Sequence, residues 1–284
     1  MDGSTNEMIL ALAQVDLAKG DVERNVAMAG ELAAEAAAGG ASLLLLPELW
    51  STAYDLERAT EHARSSRAIV LPAIEKLARE HELYIAGSVL LDDERGEGPV
   101  FNTAIICGPG GWVGDAYRKI HLFGPMNETD HLAAGDAPVV CTLPWGDVGL
   151  AICYDLRFPE LFRMYADRGV ALLLLPAEWP AVRQDHWNTL VRARAIENQC
   201  FVAACNRVGV TDGTEFRGGS MVVGPWGETV IAAHDREGIH FATIDISAVN
   251  AARSRLPVLA DRRPDIYGMA ALHARQPGQS EERW

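Results

Sequence analysis

The sequence lacks any long uncharged apolar run, and its hydrophobic stretches fall well short of the roughly 20 residues that a membrane-spanning helix needs. Its first residues, MDGSTNEM, also lack the basic stretch that begins a secretory signal peptide. We therefore expect a protein that its own sequence neither exports nor anchors in a membrane, and we place it in the cytoplasm.

Basic residues are scarce relative to acidic ones. The chain holds 25 Lys and Arg against 39 Asp and Glu, which gives a formal net charge of −14 at pH 7. Nucleic acids and anionic membranes bind surfaces on which Lys and Arg cluster. The charge therefore argues against both of these as main partners and favours a small-molecule ligand.

Paired cysteines are also missing. The five Cys residues include no C-x-x-C spacing, so the sequence suggests neither a zinc site nor a disulfide framework. An odd number of cysteines agrees with reduced thiols in the cytoplasm. We expect Cys107, Cys141, Cys200 and Cys205 to be packing residues, which leaves Cys153 as the thiol of interest.

The chain does contain enough apolar sequence for a large core, because 49% of its 284 residues are hydrophobic. Short apolar runs alternate with segments of helical periodicity, which is typical of buried parallel strands covered by helices. No polar linker divides these segments, so we predict one domain with a core of residues 8–270. Residues 1–7 and those from 275 onward are predicted to be disordered tails or interface segments. The predicted strands are 8–15, 43–46, 84–91, 103–107, 148–153, 170–175, 200–205, 219–223 and 241–246, and the predicted helices are 68–81, 159–168, 186–198 and an Ala-rich helix that Asp21 caps and Gly39 ends.

One pattern occurs twice in the chain. ASLLLLPELW at residues 41–50 and VALLLLPAEWP at residues 170–180 both run from four leucines through proline to a glutamate and a tryptophan. The repeat suggests a sheet built twice about a pseudo-symmetry axis, although a repeat this short also arises by chance. Both copies place a carboxylate, Glu48 and Glu178, just beyond the end of a strand, where open α/β sheets bind ligands.

Cys153 ends an apolar run in the segment VGLAICYDLRFPE, and a helical pattern that starts at Pro159 follows. This arrangement predicts a thiol at a strand-to-helix turn, where the positive end of a helix favours the reactive thiolate. The alternative is a small buried hydrophobe, since free cysteines are among the most buried residues.

A nucleophilic thiol needs a base and needs donors for the oxyanion that its attack creates. Glu48 follows Pro47 at the end of a buried strand and is a candidate base, and Lys119 in YRKIHLFG offers a fixed ammonium. Each has a simpler role as well, Glu48 as a carboxylate at a helix start and Lys119 as a solvated surface cation. His121 and His186 leave a Cys-His thiol hydrolase as a rival interpretation.

The segments PELWSTAY, YRKIHLFG and CYDLRFPE, in this order and spacing, resemble the nitrilase superfamily of carbon–nitrogen hydrolases over nearly the whole chain. The resemblance implies an α/β fold, a four-layer α-β-β-α sandwich, and assembly into homodimers or larger homo-oligomers. It implies Glu48, Lys119 and Cys153 as the catalytic set. Glu128 in GPMNETDHLAAG corresponds to a second glutamate that positions the substrate. The implied reaction needs neither a metal nor an organic cofactor.

The resemblance also implies a thioester mechanism that converts a small linear amide to an acid and ammonia. Glu48 accepts the proton of Cys153, the thiolate attacks the amide carbon, and Lys119 with the backbone N–H of Tyr154 binds the oxyanion. Glu48 then passes the proton to the departing amine. Water that the same glutamate activates hydrolyses the thioester.

The residues after the nucleophile, YDLRF, and the segment AEWPAVRQDHWNTLVRARAIENQ are similar to ω-amidases that act on 2-oxoglutaramate and 2-oxosuccinamate. A substrate that carries a carboxylate needs a cation, so Arg157 or Arg183 is expected to bind it unless that arginine pairs with a neighbouring acid. Tyr54 and Trp179 are predicted pocket walls, although large aromatics also fill cores.

Other activities remain open at this point. Within the family these are a general aliphatic or aryl amidase, an N-carbamoyl amidohydrolase, a nitrilase, and a glutaminase module that feeds ammonia to a separate synthetase. Outside enzymes the alternative is a catalytically silent binding or scaffold protein of the same fold. For Arg194, Glu197 and Asn198, which share one side of a predicted helix, we predict a structural network rather than direct catalysis.

Overall fold

The computed structural model describes residues 7–93, 96 and 98–267 of the chain. None of the helices in these ranges is both long and apolar enough to cross a lipid bilayer. The strands are β1 Glu7–Gln14, β2 Leu43–Leu45, β3 Tyr84–Leu91, β4 Phe101–Gly108, β5 Gly111–Trp112, β6 Tyr117–Arg118, β7 Val140–Leu143, β8 Gly146–Leu150, β9 Leu172–Ala177, β10 Phe201–Asn206, β11 Val208–Thr211, β12 Thr214–Arg217, β13 Met221–Val223, β14 Thr229–Ala232 and β15 Gly238–Asp245. The helices are α1 Val22–Ala38, α2 Ala59–Ser65, α3 Leu71–Glu80, α4 Glu128–His131, α5 Pro159–Asp167, α6 Gln184–Asn198, α7 Ser247–Arg255 and α8 Pro264–Tyr267.

Two sheets of matching order form the centre of the fold. The first has the order β15-β1-β2-β3-β4-β5, with β6 also paired to β4, and the second has the order β7-β8-β9-β10-β13-β14. In each sheet three neighbouring strands run parallel, β1-β2-β3 and β8-β9-β10, and the flanking strands pair with them antiparallel. The two repeated leucine segments become the equivalent central strands β2 and β9, in agreement with the predicted pseudo-symmetry.

Alternate residues of the central strands face different layers. Leu43 and Leu45 of β2 pack in the core that the two sheets share. Leu44 between them points to the other face, where it packs in a core with Leu32 of α1 and Ile74 of α3. Helices α5 and α6 cover the outer face of the second sheet. The order of layers is therefore helix, sheet, sheet, helix, and the predicted α-β-β-α sandwich is confirmed.

Local sequence signals place the helix ends. Asp21 caps α1, and its side chain accepts a hydrogen bond from the N–H of Arg24 at 3.1 Å. Pro159 begins α5, where its missing N–H would have had no partner within the helix. Gly169, two residues past the end of α5, has a φ of +81°, a left-handed conformation that glycine adopts readily.

Several predicted boundaries differ from those of the structure. Strand 148–153 ends early, because β8 stops at Leu150 and Cys153 begins a 3-10 turn, Cys153–Arg157. Helix 68–81 begins only at Leu71, after a π-helical turn that covers Ser66–Val70. Glu7, which was expected in the N-terminal tail, is the first residue of β1 and pairs with Asp245. The rest of that tail and the residues from 275 onward lie outside the described residues.

Candidate active site

Four chemically active side chains from separate elements converge in the structure. Glu48 lies three residues beyond β2, Lys119 directly beyond β6, Cys153 three residues beyond β8, and Glu128 begins α4. All four residues are buried, with at most 4% of each exposed. The fold thus brings the three predicted catalytic residues next to the predicted second glutamate.

Lys119 holds the two glutamates together. Its Nζ donates to Glu48 Oε1 at 2.7 Å and to both carboxylate oxygens of Glu128 at 2.8 Å. Burial alone would lower the pKa of Lys119, but the carboxylates of Glu128 and Glu48 outweigh it and raise the pKa above its usual value. Lys119 is therefore a buried ammonium rather than a solvated surface cation.

Two neutral side chains bridge the same carboxylates. The O–H of Tyr54 lies 2.9 Å from Glu48 Oε1 and 3.2 Å from Glu128 Oε1. Asn102 Nδ2 also donates to both atoms, at 2.8 Å and 3.2 Å. Burial, followed by the two carboxylates, raises the pKa of Tyr54 well above its usual value, so the phenol remains a neutral donor. Sequence reasoning missed Asn102, although a polar residue inside the apolar strand β4 is a signal for it.

The charges in this cluster do not balance. One ammonium, Lys119, faces two carboxylates, so one carboxylate charge stays uncompensated when both are ionised. Burial raises the pKa of Glu128 and the nearby charge of Glu48 raises it further, while Lys119 opposes both effects. The pair of carboxyl groups therefore favours the uptake of one proton, and the nearby thiol of Cys153 can supply it.

Cys153 sits in a strained turn with its thiol beside Glu48. Its φ of 45° lies in the left-handed region that L-residues rarely adopt, a feature that clusters at functional sites. Burial is the largest cause that raises the pKa of the Cys153 thiol well above its usual value, and the charge of Glu48 and a hydrogen bond to it add to the effect. Cys153 does not begin α5, which starts six residues later, but it begins the 3-10 turn Cys153–Arg157. Burial and Glu48 favour the neutral thiol there over the expected thiolate.

Asp155 ties the turn of Cys153 to the segment of Lys119. Its Oδ2 accepts hydrogen bonds from the N–H of Ile152 at 2.9 Å and from the O–H of Tyr117 at 2.7 Å. Its Oδ1 accepts from the N–H of His121 at 3.0 Å and lies 2.7 Å from Nδ1 of the same residue. Asp155 was not predicted as a site residue, and it fixes the nucleophile relative to the ammonium.

The two histidines of the rival Cys-His interpretation have other partners. His121 contacts Asp155 and stacks on the ring of Phe158 with 3.6 Å between ring centres. His186 Nδ1 lies 3.2 Å from the guanidinium of Arg157. Glu48, which hydrogen-bonds the Cys153 thiol, is therefore the better placed base.

Aromatic and cationic side chains flank Cys153 on one side. Arg157 lies 4.7 Å above the ring of Trp179, and Arg183 lies 5.5 Å above the ring of Phe123. Among the residues that the structure describes, neither guanidinium pairs with a carboxylate. These groups enclose a small cavity lined by Phe123, Cys153, Tyr154, Arg157, Trp179, Pro180 and Arg183.

A second, larger cavity of about 230 Å³ lies on the side of Tyr54. Glu178, the residue directly after β9, lines it and donates its backbone N–H to Glu48 Oε2 at 2.8 Å. The Glu178 side chain contacts Arg207, whose Nη1 lies 2.9 Å from Oε2. The repeated leucine segment marks the position of Glu178, but nothing in the sequence places Arg207 next to it.

Arg194 supports the turn of the nucleophile from α6. Its Nε and Nη2 donate to the carbonyl oxygen of Leu156 at 3.1 Å and 2.8 Å. Its Nη1 lies 2.8 Å from Glu197, and Asn198 Nδ2 donates to the carbonyl oxygen of Arg194 at 2.9 Å. The three residues form the kind of structural network that their spacing predicts.

The other four cysteines pack in the cores. Cys107, Cys141 and Cys205 lie in β4, β7 and β10, Cys200 lies directly before β10, and all are free thiols. Burial raises the pKa of Cys107 and of Cys141 to about 11. Within the described ranges, no group of three or more His, Cys, Asp or Glu side chains is arranged to hold a metal ion.

Several known proteins are similar to this chain over most of its length. The carbon-nitrogen hydrolase family profile matches residues 9–254. A 2-oxoglutaramate amidase of Bacillus subtilis (strain 168) is 39% identical over 259 residues, which cover 91% of this chain and 98% of that protein. The omega-amidase NIT2 of Homo sapiens is 33% identical, with 92% of this chain and 96% of that protein covered. The crystal structure of a CN-hydrolase superfamily protein from Xanthomonas campestris with an arsenic adduct in its active site has a TM-score of 0.83 and 32% identity, covering 90% of this chain and 97% of that one.

Proposed function

The chain belongs to the carbon-nitrogen hydrolase family and hydrolyses amides, and from this premise we propose that it is an ω-amidase acting on 2-oxoglutaramate-like substrates. The observation that carries the chemistry is the buried contact of Glu48, Lys119 and the Cys153 thiol. The relatives named 2-oxoglutaramate amidase and omega-amidase support the substrate class.

The first step activates a neutral thiol. Glu48 hydrogen-bonds Cys153 and accepts its proton as sulfur attacks the amide carbon, so the thiolate exists only while the new carbon–sulfur bond forms. The backbone N–H of Glu178 and the N–H of Asn102 keep the carboxylate of Glu48 oriented. Glu48 therefore performs the reaction as a fixed base.

The attack moves negative charge onto the amide oxygen. The ammonium of Lys119 lies beside Glu48, and the N–H of Tyr154, second residue of the 3-10 turn, has no acceptor within that turn. Both are positioned to stabilise the oxyanion. Glu48 then returns its proton to the leaving nitrogen, ammonia departs, and water deprotonated by Glu48 cleaves the thioester at Cys153.

The arginines near Cys153 suit a substrate that carries a carboxylate at the end opposite its amide group. Arg157 and Arg183 flank the small cavity next to the nucleophile, and each presents a fork of N–H donors that matches a carboxylate. Glu128, bound to Lys119 through both oxygens, is proposed to position the amide end. Tyr54 and Trp179 are proposed as pocket walls, since each lines one of the two cavities.

The test is ammonia release by the purified enzyme from a panel of substrates. The panel contains 2-oxoglutaramate, pentanamide, glutamine, an N-carbamoyl amino acid and a nitrile. We expect the highest kcat/KM for 2-oxoglutaramate and complete loss of release in Cys153→Ala, because no other thiol lies beside Glu48. Cys107→Ala is the matched control, since it removes an equally buried thiol from β4 and leaves the site intact.

The other outcomes separate the alternatives. A preference for pentanamide would replace the ω-amidase proposal by a general amidase. A preference for the carbamoyl compound or the nitrile would assign those activities. Full ammonia release by Cys153→Ala would reject the proposed nucleophile.

Assembly and location also belong to this proposal. We propose one domain, because the two sheets share one core, and a homodimer or larger homo-oligomer as the resemblance implies. Large apolar side chains on the outer layer, Met164 of α5 and Ile196 of α6, are 45% and 48% exposed and support an interface there. Five free thiols support a reducing compartment such as the cytoplasm.

A further inference from the structure

The backbone that follows β9 leaves its strand ladder next to the proposed base. β9 pairs with β10 as far as Ala177, which lies opposite Asn206. The next two N–H groups need other partners, because buried backbone donors are rarely left unpaired. The N–H of Glu178 donates to Glu48 Oε2 at 2.8 Å, and the N–H of Trp179 donates to Asn206 Oδ1 at 2.7 Å. One N–H of this segment thus serves the base, and a side chain of β10 takes up the other.

The carboxamide of Asn206 binds Trp179 at both of its backbone polar groups. Besides accepting from the N–H, it donates from Nδ2 to the carbonyl oxygen of Trp179 at 3.1 Å. Nδ2 also donates to the carbonyl oxygen of Gly218 at 2.7 Å, and Oδ1 also accepts from the N–H of Arg207 at 3.0 Å. Asn206 is buried, and these four bonds use both donors and both lone pairs of its side chain. Asn206 therefore acts on the backbone rather than on a substrate.

Ser220 fixes Asn206 in turn. Its Oγ accepts from the N–H of Asn206 at 2.9 Å and donates to the carbonyl oxygen of Asn206 at 3.1 Å. The N–H of Ser220 donates at 2.9 Å to Oε1 of Gln14, the last residue of β1. Asn206 is therefore linked to the first sheet as well as to its own.

The residue after Asn206 holds the other half of the segment. Arg207 donates from Nη1 to Glu178 Oε2 at 2.9 Å and from Nη2 to Asp16 Oδ1 at 2.6 Å. Consecutive residues at the end of β10 thus bind consecutive residues beyond the end of β9. Because Asn206 binds the backbone and Arg207 binds a side chain, Asn206 controls the direction of the N–H of Glu178 more directly.

That N–H matters because the two oxygens of Glu48 are occupied differently. Lys119 and Asn102 both donate to Oε1, which fills its two lone pairs. Oε2 accepts the N–H of Glu178 and has a second lone pair for the proton of Cys153. The direction of the N–H therefore determines how the remaining lone pair of Oε2 is oriented.

We propose that Asn206 is a positioning residue for the reaction. By fixing the backbone of Glu178 and Trp179, it aims the N–H of Glu178 at Glu48 Oε2 and so orients that oxygen toward Cys153. As the sulfur electron pair bonds the amide carbon, the S–H bond breaks and its proton bonds to Oε2. This inference rests on the proposed role of Glu48 as the base.

The chain offers a close control for the loss of such an asparagine. The buried Asn25 of α1 also binds one residue at both backbone groups: Oδ1 accepts from the N–H of Ala18 at 3.0 Å, and Nδ2 donates to its carbonyl oxygen at 2.7 Å. Nδ2 of Asn25 donates to a second carbonyl oxygen, that of Ser51, at 3.0 Å. Asn25→Ala and Asn206→Ala therefore remove the same kinds of hydrogen bond and should destabilise the fold to a similar extent.

The experiment measures kcat and KM by ammonia release, using the amide of the panel above that the wild type hydrolyses fastest. Urea unfolding identifies conditions under which each variant is folded. In Asn206→Ala we expect kcat to fall about tenfold and KM to change less, because a displaced base slows the attack without removing a substrate contact. In Asn25→Ala kcat should stay at the wild-type value.

A conservative substitution tests whether the contact with Trp179 is the cause. Asn206→Asp retains a side-chain oxygen for the N–H of Trp179 at nearly the same size. It should therefore recover most of the kcat that Asn206→Ala loses. If Asn206→Ala does not fold, Asn206→Ser takes its place, since a hydroxyl is too short to bind both backbone groups of Trp179.

Three results would overturn the inference. The first is a wild-type kcat in Asn206→Ala, and the second is an equal fall of kcat in Asn25→Ala. The third is a loss confined to KM, which would assign Asn206 to the support of the pocket wall at Trp179 instead of the base. Normal turnover in Glu48→Gln would reject the proposed base itself, and a preference for pentanamide would reject only the ω-amidase proposal, so these failures are distinguishable.

Discussion

At the scale of single residues, the candidate site places a thiol whose pKa is raised next to the carboxyl group of Glu48. Many thiol enzymes lower the pKa of the cysteine, but here burial and Glu48 raise the pKa of Cys153 well above its usual value. A resting thiolate would add a further negative charge beside the buried carboxyl groups of Glu48 and Glu128. In the proposed mechanism, proton transfer during attack avoids that charge, and Lys119 stabilises the oxyanion that forms instead.

This arrangement predicts how the thiol titrates. The ultraviolet absorbance of a thiolate, measured as wild type minus Cys153→Ala, should be absent at about pH 8, where an unperturbed cysteine already ionises in part. In Glu48→Gln the thiolate should appear at lower pH than in the wild type, since a negative neighbour and its hydrogen bond are gone. The same variant should lose acylation because it has no base.

The opposite pattern would contradict this mechanism. A strong thiolate signal in the wild type near pH 7 would mean that Cys153 needs no base for attack. Normal turnover in Glu48→Gln would reject Glu48 directly. The other cysteines do not interfere with the difference spectrum, because burial raises the pKa of Cys107 and of Cys141 to about 11 and the Cys153→Ala baseline contains both.

At the scale of elements, the site depends on a short 3-10 turn that is held from two sides. Asp155 fastens its beginning to Tyr117 and His121, and Arg194 of α6 binds the carbonyl oxygen of Leu156 near its end. The positive φ of Cys153 persists because these contacts over-determine the turn. Loss of either contact should therefore affect catalysis without touching the substrate.

Asp155→Ala tests the contact at the start of the turn. It leaves the buried donors of Ile152, Tyr117 and His121 without their acceptor, which should cost about 3 kcal/mol or more in the free energy of unfolding. We expect kcat to fall as well, because the thiol is no longer fixed relative to Lys119. Urea unfolding followed by circular dichroism, together with ammonia release, measures both effects.

Asp147→Ala is the matched control for this change. Asp147 accepts one hydrogen bond from Thr142 at the surface edge of β8, so its removal should change stability far less and leave kcat unaltered. Equal effects of the two substitutions would mean that the buried hydrogen bonds of Asp155 do not hold the turn.

The elements themselves were largely predictable because their signals are local. Strand β3 matches its predicted range, and Asp21 and Pro159 begin α1 and α5 as their chemistry requires. The sequence analysis did not predict β6 or β7, because strands of two and four residues are too short to show a clear periodicity. The end of β8 was misplaced because residues 151–153 remain apolar after the strand stops.

The residues of the candidate site show the same difference between signals that are local in the sequence and contacts that are distant in it. Ordered motifs predicted Glu48, Lys119, Cys153 and Glu128, and the structure places all four in one buried cluster. Asn102, Asp155 and Arg207 were missed because each acts through a partner that is distant in sequence. Spacing along the chain carries no information about such contacts, which depend on how the two sheets pack.

At the scale of the whole molecule, two similar sheets build one site from both halves. Glu48 and Lys119 follow strands of the first sheet, and Cys153 and Glu178 follow strands of the second. Contacts such as the N–H of Glu178 on Glu48 cross between the sheets. Neither sheet alone carries all of the proposed catalytic groups.

The exposed apolar side chains of α5 and α6 predict an interface between copies of the chain. Light scattering after size-exclusion chromatography should give a mass that is a multiple of 30.8 kDa, and Ile196→Glu should lower it by placing a charge in the apolar surface of α5 and α6. Ile69→Glu is the matched control, because Ile69 is 40% exposed on the opposite helix layer.

Two outcomes would contradict this interface. Dissociation by Ile69→Glu but not by Ile196→Glu would move the interface to the layer of α1 and α3. A mass of a single chain at every concentration would reject association altogether.

The pairing of β15 with β1 has a consequence for the order of events on the ribosome. The first sheet needs a strand that is synthesised after all of the second, so β1 waits with an open edge until residues 238–245 emerge. By then Glu48, Lys119, Cys153 and Glu178 have all been made. A nascent chain that stalls earlier lacks the strand that covers the edge of β1, so its first sheet is unfinished although all the proposed catalytic residues are already present.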